Sequence, residues 1–342
     1  MDFLLTFVQT PPGQIIYVIL IYIVTFIRVI FEIAKHPLRV FTKRNRDQIG
    51  FRLRQGPWEH SLIGINSKVR LHLASSGPRN APVILFVHGF PECWYSWRNQ
   101  LQFFSKQYRC ISFDLRGYGE SDKPIGKDNY SIELLTKDIV LLLESLGVKK
   151  AFAVVGHDWG AIISYAFASI YPEKLEKLII LNGPHPQIFS KNLYSFPQIL
   201  HSYYVFAFQI PYLPEIYLAL NDFSFLEDLF QELLNKERIN EEDIEYYKFS
   251  MSRPGATNCT INYYRKLAES NLSWMQKIQT PCLILWGEND QFLSKDVNRG
   301  LEQVLTNYEI HYIPDCGHWA QIDSPVIVNN SILEFLKKEI EN

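Results

Sequence analysis

The feature that most constrains the fold of this chain is a sharp strand-to-helix turn around Asp158. Residues 153–162 read AVVGHDWGAI, a small apolar run that passes through Gly-His-Asp-Trp-Gly into a helical pattern. Gly156 and Gly160 flank the turn, at the positions where a nucleophile elbow packs strand against helix too closely for side chains. Asp158 stands where such elbows usually present serine, so it is either a helix N-cap or a nucleophile. The paired glycines favour a nucleophile, because a cap does not require both.

The composition allows a large α/β domain with an insertion, or two ordinary domains. The chain has 342 residues, of which 47% are hydrophobic and 20% charged. A net charge of −2 and the absence of a basic stripe argue against nucleic-acid binding. The five cysteines are dispersed, without Cys-x-x-Cys spacing, which predicts buried thiols in a reducing compartment and no metal site.

Apolar strand patterns alternate with helical patterns along most of the chain. Strands are predicted within 82–91, 109–124, 151–156, 176–184, 281–290 and 308–314. Helices are predicted over 131–147, 161–171 and 325–340. This alternation predicts an α/β fold with a mostly parallel sheet flanked by helices.

One long segment interrupts the alternation. Residues 186–270 carry helical patterns, are rich in Tyr and Phe and lack clear strands, which predicts a helical cap inserted into the sheet domain. The predicted organisation is then an N-terminal membrane anchor, a basic tether, an α/β core in two parts and the cap. Their ranges are 1–35, 36–57, 58–185 with 271–342, and 186–270.

The N-terminal segment is long and apolar. The uncharged run that begins at Ile15 ends at Arg28, which shares a helix face with Glu32 and can pair with it or snorkel to an interface. A helix of about 20 apolar residues crosses a bilayer. We favour a single spanning anchor over an in-plane amphipathic helix. A cleaved signal peptide is disfavoured by the lack of a basic leader and of a small-residue cleavage site.

Charges around this segment predict its orientation. Asp2 is the only charged side chain before it. The basic residues that follow within 20 positions are Lys35, Arg39, Lys43, Arg44 and Arg46. The positive-inside rule places the body of the protein in the cytosol, and we expect a single-pass protein of the endoplasmic reticulum membrane.

A base and an orienting acid follow Asp158 in the chain order expected for a nucleophile elbow. His318 comes after the last predicted strand, in PDCGHWAQ. Asp290 lies just beyond a strand end in LILWGENDQF, where loops of parallel sheets gather functional groups. The nearby acids Glu288, Asp296 and Asp315 are competitors, and we choose Asp290 for its place in the turn.

Backbone N–H groups complete the predicted site. The HGFP loop, residues 88–91, leaves the first long apolar strand and can face the elbow. The Phe90 and Trp159 N–H groups are therefore the predicted oxyanion hole. His88 is predicted to be structural.

Six motifs in register make the chain recognisable over residues 58–340. They are HGFPECWYSWRNQ, DLRGYGESDKP, GHDWGA, LNGPHP, WGEND and GHWAQIDSP. Together they resemble the epoxide hydrolase family of the α/β-hydrolase fold, and the anchored N-terminus is similar to the membrane-anchored animal epoxide hydrolase 4-like group.

The resemblance implies a two-step reaction. Asp158 attacks an epoxide carbon by back-side displacement and forms an alkyl ester, and water activated by His318, with Asp290 orienting the imidazole, then hydrolyses that ester. A serine would form an ether, which this machinery does not hydrolyse. The family also uses two cap tyrosines to protonate the epoxide oxygen. By resemblance these are Tyr204 and Tyr264, with Tyr203 and Tyr263 as neighbouring alternatives, and the Phe90–Pro91 bond is expected to be cis.

Two rival functions stay open at this point. A dehalogenase shares the Asp nucleophile and the His–Asp pair, but haloalkane dehalogenases place Asn where this chain has Phe90, and the tyrosines would have no role. The second rival is a non-catalytic membrane-tethered adaptor that has kept the fold. The expected partners are a small lipophilic epoxide, water and the lipid bilayer, with no nucleic acid, no evident obligate protein partner and no cofactor. The sequence specifies neither the epoxide nor the regioselectivity.

Overall fold

An eight-stranded, mostly parallel β-sheet organises the protein. The computed structural model describes residues 10–35, 37, 40–193, 195 and 198–338. The strands are Glu59–Gly64 (β1), Arg70–Ser76 (β2), Val83–Val87 (β3), Arg109–Phe113 (β4), Ala151–His157 (β5), Leu175–Leu181 (β6), Cys282–Gly287 (β7) and Tyr308–Ile313 (β8). Their order across the sheet is β1-β2-β4-β3-β5-β6-β7-β8. The predicted parallel strands therefore form one sheet.

Two antiparallel strands extend the sheet at one edge and were not predicted from the sequence. β1 pairs with β2, and β2 pairs with β4, in antiparallel register, whereas the remaining neighbours are parallel. The burial of β1 alternates between exposed and half-buried residues, so this strand lacks the continuous apolar run by which the central strands are recognised.

Helices cover both faces of the sheet. The helices are Pro11–Lys35 (α1), Asp47–Leu53 (α2), Arg98–Phe104 (α3), Ile132–Ser145 (α4), Trp159–Ile170 (α5), Pro186–Asn192 (α6), Gln198–His201 (α7), Tyr203–Ala207 (α8), Leu213–Ala219 (α9), Phe225–Leu229 (α10), Gln231–Asn235 (α11), Glu241–Ser252 (α12), Ala256–Ala268 (α13), Ala320–Asp323 (α14) and Pro325–Lys337 (α15). One face of the sheet packs on α4 and α5, and the other packs on α3 and α15. Successive strand residues, such as Leu85 and Phe86, contribute to opposite cores because side chains alternate along a strand.

The predicted cap segment lies between β6 and β7. Within its described residues the chain forms helices α6 to α13 and no strand. The longest of these helices, α12 and α13, supply buried residues that join the core on the elbow side of the sheet. The cap boundaries at 186 and 270 stay a prediction.

Helix α1 lies against the cap. The Tyr17 hydroxyl donates to the Ile199 carbonyl at 2.7 Å, and the Asn221 amide donates to Glu32 at 2.8 Å. Arg28, expected to share a helix face with Glu32, lies with its guanidinium carbon 5.8 Å from the centre of the Tyr203 ring. Arg28 and Glu32 of α1 therefore both contact the cap.

The segment predicted as a basic tether is partly folded. Helix α2 lies within it, and Gly50 of this helix packs against the ring of Phe249 in α12. The Arg46 side chain is buried and donates to Asp222 at 2.7 and 2.8 Å and to Glu245 at 2.9 Å. An unpatterned basic sequence gives no sign of these partners, since both acids belong to the distant cap segment. Arg39, one of the predicted flanking charges, lies outside the described residues, as does Asp2.

Candidate active site

The turn between β5 and α5 has the backbone geometry of a nucleophile elbow. Asp158 has φ of +50°, a conformation that is strained for a residue with a side chain. A Cβ on Gly160 would lie 2.0 Å from the Val87 carbonyl oxygen, and one on Gly156 would lie 2.4 Å from the Gly160 carbonyl oxygen. Only glycine fits at both positions, and Asp158 is consequently raised above the end of the sheet.

Backbone N–H groups favour the ionised form of Asp158. The Phe90 N–H donates to Oδ1 at 2.8 Å, and the Trp159 N–H helps to lower the pKa of this carboxyl. The Phe90–Pro91 peptide bond is cis. Burial raises the pKa of Asp158, and the His318 and His157 charges together with these N–H donors only partly oppose that shift.

His318 and Asp290 form a hydrogen-bonded pair beside the elbow. Nδ1 of His318 lies 2.8 Å from Oδ2 of Asp290. The other Asp290 oxygen accepts from the Phe292 and Leu293 N–H groups at 2.8 and 2.9 Å, and Asn182 donates to Oδ2 at 2.7 Å. Burial opposes ionisation of Asp290, but His318 and these donors outweigh it and lower its pKa. Asp290 is thus a fixed anion that sets the orientation of the imidazole.

The three competing acids lie elsewhere. Glu288 faces Lys295 at 3.8 Å, Asp296 pairs with Arg299 at 2.9 Å, and Asp315 is exposed in the turn before His318. Among the acids considered from the sequence, Asp290 is the one that contacts the imidazole of His318.

The second nitrogen of His318 faces the elbow. Nε2 lies 3.7 Å from Oδ2 of Asp158, beyond hydrogen-bond distance. Burial lowers the pKa of His318, but the charges of Asp290 and Asp158 outweigh it and raise this pKa to about 9. With Asp158 ionised, His318 is therefore predominantly protonated near neutral pH.

Tyr204 and Tyr264 line the same cavity as Asp158 and His318. Their ring centres are 6.0 Å apart, at an interplanar angle of 84°. Burial and the charge of Asp158 raise the pKa of both phenols well above the ordinary value. Both hydroxyls therefore stay protonated at neutral pH and can act as hydrogen-bond donors.

The two neighbouring tyrosines have different surroundings. Tyr263 points into the core, where its hydroxyl donates to the Arg116 carbonyl at 2.7 Å. Tyr203 is 44% exposed and lines the outer part of the cavity, beside Arg28. The charges that act on the pKa of Tyr263 are those of Arg116, Asp138 and Cys259, whereas Asp158 contributes to the raised pKa of Tyr204 and Tyr264.

A buried acid–imidazole pair supports the site and was missed at the sequence level. Glu92 lies 2.7 Å from Nδ1 of His157 and accepts from the Gly89 N–H at 2.9 Å and from the Gln321 amide at 2.8 Å. Nε2 of His157 faces the His318 carbonyl at 3.0 Å, so both its nitrogens face acceptors. The pair thus connects the HGFP loop (residues 88–91, the oxyanion loop), the elbow and the loop that carries His318. In the sequence, the one sign of this pair is position: Glu92 directly follows the HGFP loop, and His157 directly precedes Asp158.

Two cavities meet at Asp158. The first, of about 290 Å³, is lined mainly by aromatic and aliphatic side chains and contains Asp158, His318 and both candidate tyrosines. The second, of about 660 Å³, lies on the other side of Tyr204 and has polar residues such as Gln187 and Asn271 at its edge. Within the described ranges no group of three or more His, Cys, Asp or Glu side chains converges as a metal-ligand set.

Comparison with known proteins agrees with this geometry. Residues 82–325 match the family of proteins with the alpha/beta hydrolase fold. A solved structure of a Bacillus megaterium epoxide hydrolase, in complex with an inhibitor, has a TM-score of 0.75 and 33% identity, covering 81% of this chain and all of that one. The Vigna radiata epoxide hydrolase VrEH1 has a TM-score of 0.72 and 29% identity over 82% of this chain and 99% of its own. The fold and the elbow define an α/β hydrolase, which confirms the predicted fold class.

Similarity at the sequence level is more specific. Epoxide hydrolase 4 of Homo sapiens is 38% identical over 322 residues, which cover 92% of this chain and 89% of the human protein. Epoxide hydrolase 3 of Xenopus tropicalis is 38% identical over 82% of this chain and 78% of its own length. The chain therefore belongs to the epoxide hydrolase family of α/β hydrolases, as the motifs predicted.

Proposed function

We propose that this protein hydrolyses lipophilic epoxides to vicinal diols through a covalent ester on Asp158. The observation that carries the proposal is the position of the Asp158 carboxylate. One of its oxygens accepts the Phe90 N–H, and the other faces His318 Nε2 at 3.7 Å. A carboxylate in this position can first act as a nucleophile and then, as an ester, present its carbonyl to a water molecule activated by the histidine.

In the first step Oδ2 of Asp158 attacks an epoxide carbon. The carbon–oxygen bond of the ring breaks, and the ring oxygen takes a proton from Tyr204 or Tyr264 while hydrogen-bonded to both. The negative charge of Asp158 contributes to the high pKa of both phenols. Because ester formation removes that charge, the phenols become stronger acids as the alkoxide develops.

In the second step water attacks the ester carbonyl carbon. His318 accepts the proton from the water, and Asp290 stabilises the resulting imidazolium through the 2.8 Å hydrogen bond to Nδ1. The developing oxyanion faces the Phe90 and Trp159 N–H groups, and the Phe90 N–H already donates to the carboxylate oxygen in the free protein. Collapse of the intermediate breaks the bond between the acyl carbon of Asp158 and the substrate oxygen; this oxygen takes the second proton of the water, so the diol is released and the Asp158 carboxylate is regenerated. The tyrosinate left by the first step regains its proton from the imidazolium of His318, which must lose a proton before it can act as the base.

The charge of Asp158 also determines in which step His318 can act as a base. In the free protein Asp290 and Asp158 both raise the pKa of His318. Esterification neutralises Asp158, so the pKa of His318 falls and the histidine becomes a base in the step that needs one.

Both rival functions are less well supported. The residue that faces Asp158 from the oxyanion loop is Phe90, which has no side-chain donor for a halide ion. The two tyrosines beside Asp158 have a role in epoxide opening and none in dehalogenation. A non-catalytic adaptor would have no need of the Asp158, His318 and Asp290 arrangement.

The same proposal extends to a membrane location. The helix Pro12–Lys35 is long and apolar enough to cross a bilayer; it ends at Lys35, and Lys43 and Arg44 follow it. We propose that α1 attaches the protein to a membrane with the catalytic body on the cytosolic side. The charge bias supports this side for a spanning helix and, for an in-plane helix, supports binding to an anionic leaflet. The single-pass arrangement and the endoplasmic reticulum remain predictions from the sequence.

The decisive experiment assays a panel of epoxides, from styrene oxide to long-chain epoxides. Wild-type protein is expected to release diols, and Asp158→Ala to release none. His318→Gln is expected to accept the epoxide and accumulate an ester on Asp158, because only the second step needs the base. Intact-protein and peptide mass spectrometry would detect that ester. Diol formation by Asp158→Ala, or release of halide and no diol by the wild type, would overturn the proposed function.

A further inference from the structure

The N-terminal helix forms part of the wall of the cavity that reaches Asp158. Thr25 and Arg28 of α1 line this cavity together with Tyr203 and Tyr217 of the cap, whereas Asp158, which lines the same cavity, is buried. Thr25 is half-buried and Arg28 is exposed, so these residues lie at the mouth. The helix that the sequence predicts as a membrane anchor therefore also borders the cavity that leads to Asp158.

Helix α1 has two apolar faces with different surroundings. On one face Ile21 packs with Ile199 and Phe206 of the cap, and Val29 packs with Leu220. On the other face, ten large apolar side chains between Ile15 and Phe31 are 45% to 63% exposed. The inner face is paired with protein, and the outer face is a continuous apolar surface without a protein partner among the described residues.

The exposed surface continues onto the cap. Three exposed residues of the cap lie beside α1: Leu200, Tyr203 and Tyr212, which are 53%, 44% and 78% exposed. Tyr203 contacts Arg28 of α1 directly, and the other two are next in the chain to Ile199 and Leu213, which pack with α1. Lys35 lies at the end of the helix, and Arg44, shortly after it, is 79% exposed at its side chain. An aliphatic and aromatic surface with basic residues at its edge matches the hydrocarbon boundary and anionic headgroups of a lipid bilayer.

The cap contacts decide how the helix meets that bilayer. Its hydrogen bonds to the cap at Tyr17 and Glu32 are 15 residues apart, which corresponds to about 22 Å of helix. A helix perpendicular to the membrane would either lose these contacts or draw the polar groups of the cap into hydrocarbon, which is costly. Both sets of contacts persist when α1 lies in the membrane plane.

We propose that α1 lies in the plane of a lipid bilayer, instead of spanning it as the sequence predicted, with its inner face closing the cap and its outer face in the lipid. The mouth bordered by Thr25, Arg28 and Tyr203 then opens at the membrane surface. Lipophilic epoxides dissolved in the bilayer reach Asp158 through this mouth without crossing bulk water. The substrate-entry part of this inference rests on the proposed epoxide hydrolysis, whereas the position of the helix does not.

The position of the helix is tested on the full-length protein bound to vesicles of phosphatidylcholine and phosphatidylserine. Ile16→Cys, Ile23→Cys and Ile30→Cys are each labelled with a fluorophore, and lipid-borne quenchers at two depths report the depth of each label. The five native cysteines are buried and serve as the unlabelled control. We expect the same shallow depth at all three positions. A deep label at position 23 between shallow labels at 16 and 30 would overturn the in-plane arrangement.

Substrate entry is tested by narrowing the mouth. Thr25→Trp is compared with Ile27→Trp, a matched substitution on the outer face, where the native side chain is 58% exposed. The readout is the ratio of kcat/KM for a long-chain epoxide in vesicles to that for styrene oxide in water. We expect Thr25→Trp to lower this ratio by about tenfold or more, and Ile27→Trp to change it by about twofold or less.

Failure of substrate entry at the membrane and failure of the proposed epoxide hydrolysis give different results. If the wild type hydrolyses both epoxides and Thr25→Trp leaves the ratio unchanged, entry at the membrane is wrong and epoxide hydrolysis stands. If the wild type hydrolyses neither epoxide, the proposed function fails, while the depth of the labels still decides the position of α1.

Discussion

The surroundings of Asp158 have opposing effects on the ionisation of its carboxyl group. Burial favours the neutral acid, whereas His318 and the two N–H donors favour the carboxylate. The same groups serve both steps of the proposed reaction, because an ester carbonyl at this position faces the donors that now bind the carboxylate oxygen. A serine at this position would form an ether, which has no carbonyl carbon for water to attack. This gives a physical reason why the elbow carries aspartate in place of serine.

The tyrosine assignments can be tested with the neighbouring tyrosines as matched controls. Tyr204→Phe and Tyr264→Phe are each expected to lower kcat/KM for epoxides by about 10²- to 10⁴-fold, the range of a lost general acid. Tyr263→Phe loses its bond to the Arg116 carbonyl and is expected to lower stability more than the rate. Steady-state kinetics and thermal unfolding measure the two effects. Equal rate losses in Tyr263→Phe and Tyr264→Phe would contradict the assignment.

The pH dependence of the second step reports on His318. In the free protein two carboxylates raise its pKa to about 9, and esterification removes one of them. Ester hydrolysis should therefore speed up as pH rises through a pKa below that of the free protein. Asp290→Asn should lower this pKa further and slow ester hydrolysis. Single-turnover mixing at a series of pH values, beside NMR titration of His318, would measure both. An ester-hydrolysis rate that does not rise with pH would contradict the base role.

At this scale the sequence indicated the residues that we propose to carry the chemistry more readily than those that contact and position them. Asp158, His318 and Asp290 follow from a motif order that reflects the topology of the sheet. Glu92 and His157 were missed because a buried acid–imidazole pair is defined by contacts between segments 65 residues apart. Asn182, which donates to Asp290, was likewise part of a quoted motif without a predicted role.

The elbow is an element whose geometry depends on two glycines. Gly160→Ala would bring a Cβ to within 2.0 Å of the Val87 carbonyl oxygen, a contact that only a backbone shift can relieve. We expect a loss of about 1–3 kcal/mol in the free energy of unfolding, together with lower activity, because the shift displaces Asp158. Gly64→Ala in β1, where no atom lies within 4 Å of the added carbon, is the control. Denaturant unfolding would compare them, and equal stability of the two variants would contradict this description of the elbow.

Strands with buried apolar runs were predictable, and the amphipathic edge strands were not. The central strands read as continuous apolar segments because helices cover both their faces. The described cap helices vary from 4 to 13 residues in length, too short for periodicity to set most of their ends. Which of their side chains reach the site depends on packing among these helices, and the resemblance rather than the pattern identified Tyr204 and Tyr264.

In the whole molecule, Arg46 connects the N-terminal segment to the cap. Its buried guanidinium contacts Asp222 and Glu245, so Arg46→Leu would leave Asp222 with Arg44 and Glu245 with Lys248 as their remaining cationic neighbours. We expect a loss of about 1–3 kcal/mol in the free energy of unfolding, because three charge-assisted hydrogen bonds are lost but both acids are partly exposed. Arg44→Leu removes an exposed charge 3.5 Å from the same Asp222 and should cost about 1 kcal/mol or less. Chemical denaturation would measure both, and similar values for the two would mean that the segment behaves as a free tether.

The arrangement of α1 on the cap lay beyond the reach of the sequence. The helix is apolar on all sides, so no pattern separates the face that contacts Ile199 and Leu220 from the face that is exposed. The partners of Arg46 are likewise about 180 to 200 residues away in the chain. Hydropathy therefore predicted a membrane-spanning anchor and not the contribution of Thr25 and Arg28 to the cavity.

The central claim, a covalent ester on Asp158, is tested most directly by a single turnover in water labelled with oxygen-18. With enzyme in excess over epoxide, the account predicts unlabelled diol and one labelled oxygen in the peptide that contains Asp158, because water attacks the ester carbonyl. Mass spectrometry of the diol and of that peptide would read out both positions. Labelled diol and an unlabelled Asp158 from the first turnover would mean that water opens the epoxide directly, and would contradict the account.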